Sequence, residues 1–171
     1  MAEFEPAVEA LLHQEGGLSE NPNDHGGITN HGISLRFLKT IYADAIEDDI
    51  RNLSLDDAKA IYKKDFWDLS DFHLIDSQQV ANLGLDMHVN MGLNPAIKIM
   101  QRACNSVRSK DNFIIDDGIF GQHTIDAINH SGFCLITAIR SERAGYYRSI
   151  VANNPSQQVF LEGWLRRAYQ S

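Results

Sequence analysis

Apolar residues recur at helical spacing along almost the whole chain, and one long polar, glycine-rich stretch interrupts them near the start. Phe4, Val8, Leu11 and Leu12 stand at i, i+4, i+7 and i+8, which is one face of a helix. Pro6 falls in the first turn, where its missing N–H is no loss. The pattern stops at Gln14-Glu15, and Gly16 supplies the break. The next stretch of about fifteen residues is rich in Asn, Asp, His, Gly and Thr, and polar connections of that length inside a domain tend to be functional.

Periodic helix then resumes. Ser34 is placed to cap a helix carrying Leu35, Leu38 and Tyr42, and 45–52 reads as a short, ill-defined segment. Ser54 and Asp57 have the form of a capping box ahead of Leu55, Ala58, Ile61, Tyr62 and Phe66. Ser77 opens a helix with Val80, Leu83, Met87 and Met91 inward, ending at Gly92, and Asn94-Pro95 reads as N-cap and N1 of the next. Asp116-Asp117-Gly118 marks a turn, and 124–129 a short helix. The longest helix carries Ile136, Ile139, Arg143, Tyr147 and Ile150 on one stripe. Asn153-Asn154-Pro155 breaks it, and Ser156 caps a last helix with Phe160, Trp164, Leu165 and Ala168. About eight helices are expected, with strand-like alternation nowhere stronger than a hairpin in 18–33. The class is mainly α.

Composition narrows the function. A chain of 171 residues is one domain, or one with a modest subdomain, and it needs no metal or disulfide to hold a core. A formal charge of −8 argues against nucleic-acid binding, which needs clustered Lys and Arg. It also denies long-range attraction to anionic wall polymer. Cys104 and Cys134 fall in apolar helical patterns and read as two buried thiols, with a disulfide as the alternative. No His or Cys spacing suits a metal, so no metal and no cofactor are expected. Residues 1–6 lack the basic and apolar regions of a secretory signal, and no apolar run approaches the ~20 residues of a membrane span. Synthesis in the cytosol follows as the expectation, with action in the periplasm or wall only after release.

Three side chains of the polar stretch are suited to shared chemistry. Glu15 sits beside the carbonyls of a helix C-terminus, whose partial negative charge raises a carboxyl pKa, as burial in a cleft would. A general acid working near neutral pH needs that. Asp24 supplies a second carboxylate and Thr29 a hydroxyl five residues on. Glycosidic hydrolysis needs one acid for the leaving oxygen and a second polar group for the water or the oxocarbenium-like centre. By spacing alone the trio is weak evidence, because Asp24 also suits an Asx-turn and Thr29 a plain backbone contact.

The residue string Glu15-Gly16-Gly17, Asn21, Asp24-x-Gly26-Gly27-x-Thr29-Asn30-x-Gly32-Ile33 resembles the signature of glycoside hydrolase family 108. That family includes phage-type endolysins and secretion-associated N-acetylmuramidases. The resemblance continues through Ile61-Tyr62, Phe66-Trp67 and Asp86-x-x-Val89-Asn90-x-Gly92. Gln101 and Asp117-Gly118-x-x-Gly121-x-x-Thr124 resemble the predicted peptidoglycan-binding segment that follows in the family, and Arg143-x-x-Tyr146-Tyr147 and Phe160-x-x-Gly163-Trp164-x-x-Arg167 complete it. The resemblance implies a lysozyme-like fold and cleavage of the β-1,4 bond after N-acetylmuramic acid, with Glu15 as catalytic acid. The spacing Glu15-x8-Asp24-x4-Thr29 is also similar to that of T-even-phage lysozymes, which implies Asp24 and Thr29 holding a water and inversion at the anomeric carbon.

Asn30, His31, Tyr62 and Asn90 are the sugar contacts this reading expects. Tyr62 and Asn90 have plainer roles open to them. Tyr62, Phe66 and Trp67 suit a core, and Asp86 and Asn90, at i and i+4, suit structural hydrogen bonds such as Asp86 with Arg143. The copy departs from the family at His25, where Pro is common, and at His31, where an aromatic such as Tyr is usual. Residues 1–76 are expected to form the catalytic segment and 77–171 the peptidoglycan-binding segment, packed as one fold. Peptidoglycan glycan strands are the expected partner, with a holin or secretion apparatus for release, and the protein acts as a monomer. The competing reading is a catalytically inactive peptidoglycan-binding or secretion-accessory protein on the same fold.

Overall fold

The computed structural model describes residues 1–14, 17–20 and 27–170. Helix α1 (Phe4–Gln14) leads into a small hairpin of β1 (Thr29–Asn30) and β2 (Ile33–Ser34). Three short helices follow, α2 (Leu35–Ile41), α3 (Glu47–Arg51) and α4 (Leu55–Tyr62). The larger helices are α5 (Gln78–Met91), α6 (Leu93–Val107), α7 (Gln122–Asn129), α8 (Cys134–Asn153) and α9 (Leu161–Gln170). The fold is mainly α and lysozyme-like. Nine α-helices among the described residues, against the eight or so expected, reflect α3, where Asp49 accepts the Ile46 N–H and closes the first turn.

Local chemistry explains the starts. Ser34, Ser54 and Ser77 each accept an N–H of the first turn, from Phe37, Asp57 and Val80. At Ser54 the hydroxyl also donates to the Asp57 carboxylate at 2.5 Å, so the box closes side chain to side chain. Two starts differ from the pattern in the sequence. Helix α6 begins at Leu93 with Gly92 (φ 88°) as its cap, so Asn94 and Pro95 fall inside the first turn. Asn94 is thereby free to reach the carbonyls of Asp117 and Gly118 at 3.4 Å. At the other end Asn154, not Ser156, caps a 3-10 turn over Pro155–Phe160, and α9 starts only at Leu161.

Helix α5 is the axis. Val80, Ala81, Leu83, Gly84, Leu85, Asp86 and Met87 are all buried, covering most of its circumference, as expected of a helix enclosed by others. It packs against α1 on one side and α6 on another, and α8 lies across α6 and carries α9. One apolar core runs from Ala2 and Leu11 through Tyr62 and Phe72 to Ile99 and Ile139. A satellite cluster of Ala144, Tyr147 and Ala168 seats α9 on α8.

Helix α4 passes into a π turn over Lys63–Trp67, in which the Asp68 N–H reaches back to the Lys63 carbonyl at 2.8 Å. The wider turn points both Phe66 and Trp67 into the core, where they are 9% and 4% exposed. Both cysteines are free thiols: Cys104 is buried, whereas Cys134 is exposed because α8 turns its inward stripe from Leu135 onward. Among the described residues no helix is long and apolar enough to cross a membrane.

Candidate active site at the hairpin

The hairpin pairs Thr29 with Ser34 and Asn30 with Ile33, leaving His31 and Gly32 as a two-residue turn. Both turn residues have positive φ, 49° and 78°, the type I′ geometry whose twist matches that of paired strands. Glycine takes the second position at no steric cost. Histidine is among the few other side chains enriched in the left-handed region.

A second pairing closes the loop in front of the hairpin. Ser19 and Thr29 exchange both backbone hydrogen bonds, at 2.8 and 2.9 Å. The chain therefore returns to its own start on the way from Ser19 to Thr29. Glu20, at the departing end, is tied to Arg51 at 2.7 Å, and the same guanidinium holds Glu47 and Asp48 at 2.7 Å each. Glu15, Asp24 and His25 lie outside the described residues. Gln14, the last residue of α1, leads directly to Glu15.

The remaining expected site residues divide by burial and bonding. Thr29 is half-buried, and among the described residues its hydroxyl makes a long 3.4 Å contact to the Gly27 carbonyl. His31 is half-buried at the tip of the turn. Asn30, expected to touch sugar, is 6% exposed, and its amide donates to the carbonyls of Ile50 (3.0 Å) and Leu53 (3.4 Å). Those carbonyls lie at and beyond the C-terminus of α3, where intrahelical donors run out. Asn30 therefore fastens the hairpin to α3.

Tyr62, also expected to touch sugar, is fully buried, and its hydroxyl donates to the His31 carbonyl at 2.9 Å. Its ring packs against Phe66 with centroids 5.7 Å apart. An aromatic platform needs an open face, so Tyr62 instead clamps the turn from beneath. Asn90 is exposed at the end of α5 and accepts the Tyr147 hydroxyl at 2.6 Å. The structure thus brings Thr29, Asn30, His31 and Tyr62 together and joins Asn90 to α8 instead.

Two contributions escaped the sequence reading. Arg167 of α9 donates to Asp86 Oδ1 at 3.0 and 2.6 Å, while Arg143 pairs with the other carboxylate oxygen at 2.5 Å. Asp86 therefore sits between two guanidinium groups, one more than the pairing with Arg143 that its spacing suggested. His88 stands between the rings of Phe66 (5.1 Å) and Phe72 (6.4 Å). Burial pushes its pKa down to about 4, against an opposing hydrogen bond with the Phe66 backbone. No motif or spacing marks it; only the approach of the π turn to α5 does.

In the C-terminal half the string around Asp117 proves to be a self-contained knot. Gln101, 1% exposed, donates to Asp117 Oδ1 (2.9 Å), Thr124 Oγ1 (3.0 Å) and the Ile119 carbonyl (3.2 Å), and accepts the Gly118 N–H at 2.9 Å. The N–H of Ile119 and the Gln101 amide hold the Asp117 carboxyl below the usual carboxylate range. Among the described residues no cluster of His, Cys, Asp or Glu is arranged to hold a metal ion.

Comparison with known proteins adds the family context. Residues 8–92 match the family Glycosyl hydrolase 108, and residues 95–169 match a Predicted Peptidoglycan domain. No curated protein matches the chain. Among solved structures the chain is similar to Brucella abortus SagA, at 22% identity and a TM-score of 0.75, over 96% of this chain and 88% of that one. The likeness establishes a shared fold.

Proposed function

Because the chain belongs to glycosyl hydrolase family 108 and continues into a peptidoglycan domain, we propose that it is an N-acetylmuramidase cutting the β-1,4 bond between N-acetylmuramic acid and N-acetylglucosamine. Glu15 protonates the leaving glycosidic oxygen as the C1–O bond breaks. Asp24 takes a proton from a water that Thr29 helps to hold, and the water oxygen bonds to C1 from the opposite face, giving inversion. The observation that most supports this reading is the Ser19–Thr29 pairing. It brings Thr29 back beside the start of the loop that follows α1 and Glu15. The half-buried Thr29 hydroxyl, a donor and an acceptor, suits a water-holding role.

Residues 1–76 carry the chemistry in this proposal and 77–171 present the wall polymer. Both contribute to one core, so substrate engages them together. Action takes place in the periplasm or wall, after release by a holin or secretion apparatus, and the working unit is a monomer.

Release of reducing sugar from purified murein tests the proposal. Wild type is expected to be active and Glu15→Gln inactive while still binding murein. Binding without turnover in both proteins would instead identify a non-catalytic murein-binding protein. Asp24→Asn separately tests the water-holding role, and near-normal turnover would remove Asp24 from it. Anomeric NMR of the first product distinguishes inversion from retention.

A further inference from the structure

A groove of about 750 Å³ lies away from the hairpin, between α2, α3, α4 and the chain linking α2 to α3. Its floor is apolar, with Leu38 and Ile61 buried and Leu53 half-buried. Tyr42, 57% exposed, stands at its edge. Asp44, Asp49, Asp57 and Asp65 line it, against one cation, Lys64. Elsewhere in this lobe Glu20, Glu47 and Asp48 share Arg51, Glu5 pairs with Lys59, and Asp68 with Lys63. Among the described residues none of the four groove carboxylates is in an ion pair. Asp49 accepts the Ile46 N–H and Asp57 the Ser54 hydroxyl at helix starts.

We propose that this groove docks a cationic amphipathic segment of a partner protein. The floor takes its apolar face, and the four carboxylates take its Lys or Arg side chains. The volume falls in the range of pockets that bury several side chains, and helix-in-groove recognition needs this kind of apolar floor with a charged rim. Charge excludes the other occupants. Carboxylate-bearing peptidoglycan, anionic lipid and nucleic acid are all repelled by the rim, and a second copy of a chain with net charge −8 is repelled as well. In this proposal the groove is a site apart from the substrate cleft. Its back wall is nonetheless joined to the hairpin, because Asn30 holds the carbonyls of Ile50 and Leu53.

The test uses a fluorescent leucine-lysine amphipathic helix of about 14 residues as probe, followed by anisotropy and by backbone amide shifts. The Asp44→Asn/Asp65→Asn variant is expected to bind about tenfold more weakly than wild type. Asp111→Asn/Glu162→Gln, with the same change in net charge at exposed sites elsewhere, is expected to stay within about twofold. Shift changes are expected to concentrate in 38–45 and 57–65. Equal weakening in the control variant, shifts concentrated elsewhere, or no binding would overturn the proposal. So would displacement of the probe by muropeptides or by anionic vesicles. Murein cleavage is expected to be unchanged in both variants, and a fall confined to the groove variant would make the groove part of the substrate cleft. Binding is read without turnover, so the result is independent of whether the protein is a muramidase.

Discussion

Tyr62 supports the hairpin turn through a single oxygen. Tyr62→Phe keeps the ring in the core and leaves the His31 carbonyl without its donor, which costs about 1 kcal/mol in chemical-denaturation stability. If the turn positions Thr29 for catalysis, kcat on murein falls more than KM rises, whereas a purely structural role moves stability alone. His88 gives the molecule an acid-sensitive core. Its folded pKa of about 4 lies below the ordinary 6.5, so the unfolded chain takes up the proton first as pH falls. Stability from this group is complete above about pH 6.5, declines between there and about pH 4, and is level below. Urea midpoints measured across that window are expected to fall for wild type and to fall less for His88→Gln. A slope identical in both would remove His88 as the cause.

Elements are joined here mainly by side chains that satisfy helix ends and turns. The Gln101 knot ties α6 to the turn before α7, and Gly118 is its tightest point. Gly118 has φ 79°, and a Cβ there would overlap the Asn94 side-chain amide. Gly118→Ala is therefore expected to destabilise by about 1–3 kcal/mol in thermal or urea unfolding. Loss of murein binding beyond that of a destabilised control would show that the turn also touches substrate. The α4–π junction works on the same scale. One wider turn rotates Phe66 and Trp67 inward together and carries Phe66 against His88, so an apolar pattern of α-helical period ends where the N-terminal helices meet α5.

Across the whole molecule Asp86 adds a charged tie from α5 to α8 and α9 beside their apolar contacts. Arg143 is fully buried and Asp86 nearly so, while Arg167 reaches in from α9. Asp86→Ala removes the carboxylate between the buried Arg143 and Arg167 and is expected to cost about 3–5 kcal/mol, with α9 amides exchanging faster than those of α1 in hydrogen-exchange measurements. Uniform exchange would mean the pair does not specifically secure α9.

The amino-acid sequence by itself determined the helical class, the positions of most helices and the family of the polar stretch. These depend on local periodicity, on serine caps such as Ser34 and Ser77, and on a string of glycines and polar residues that is legible without a partner. Tertiary structure decided what each candidate side chain is used for. Asn30 and Tyr62 carry the same motif whether they touch sugar or frame. Only the proximity of the Ile50, Leu53 and His31 carbonyls commits them inward. The second partner of Asp86, the neutral state of His88 and the acidic groove likewise arise from residues far apart in the chain, whose interaction falls steeply with distance and exists only once the helices have packed.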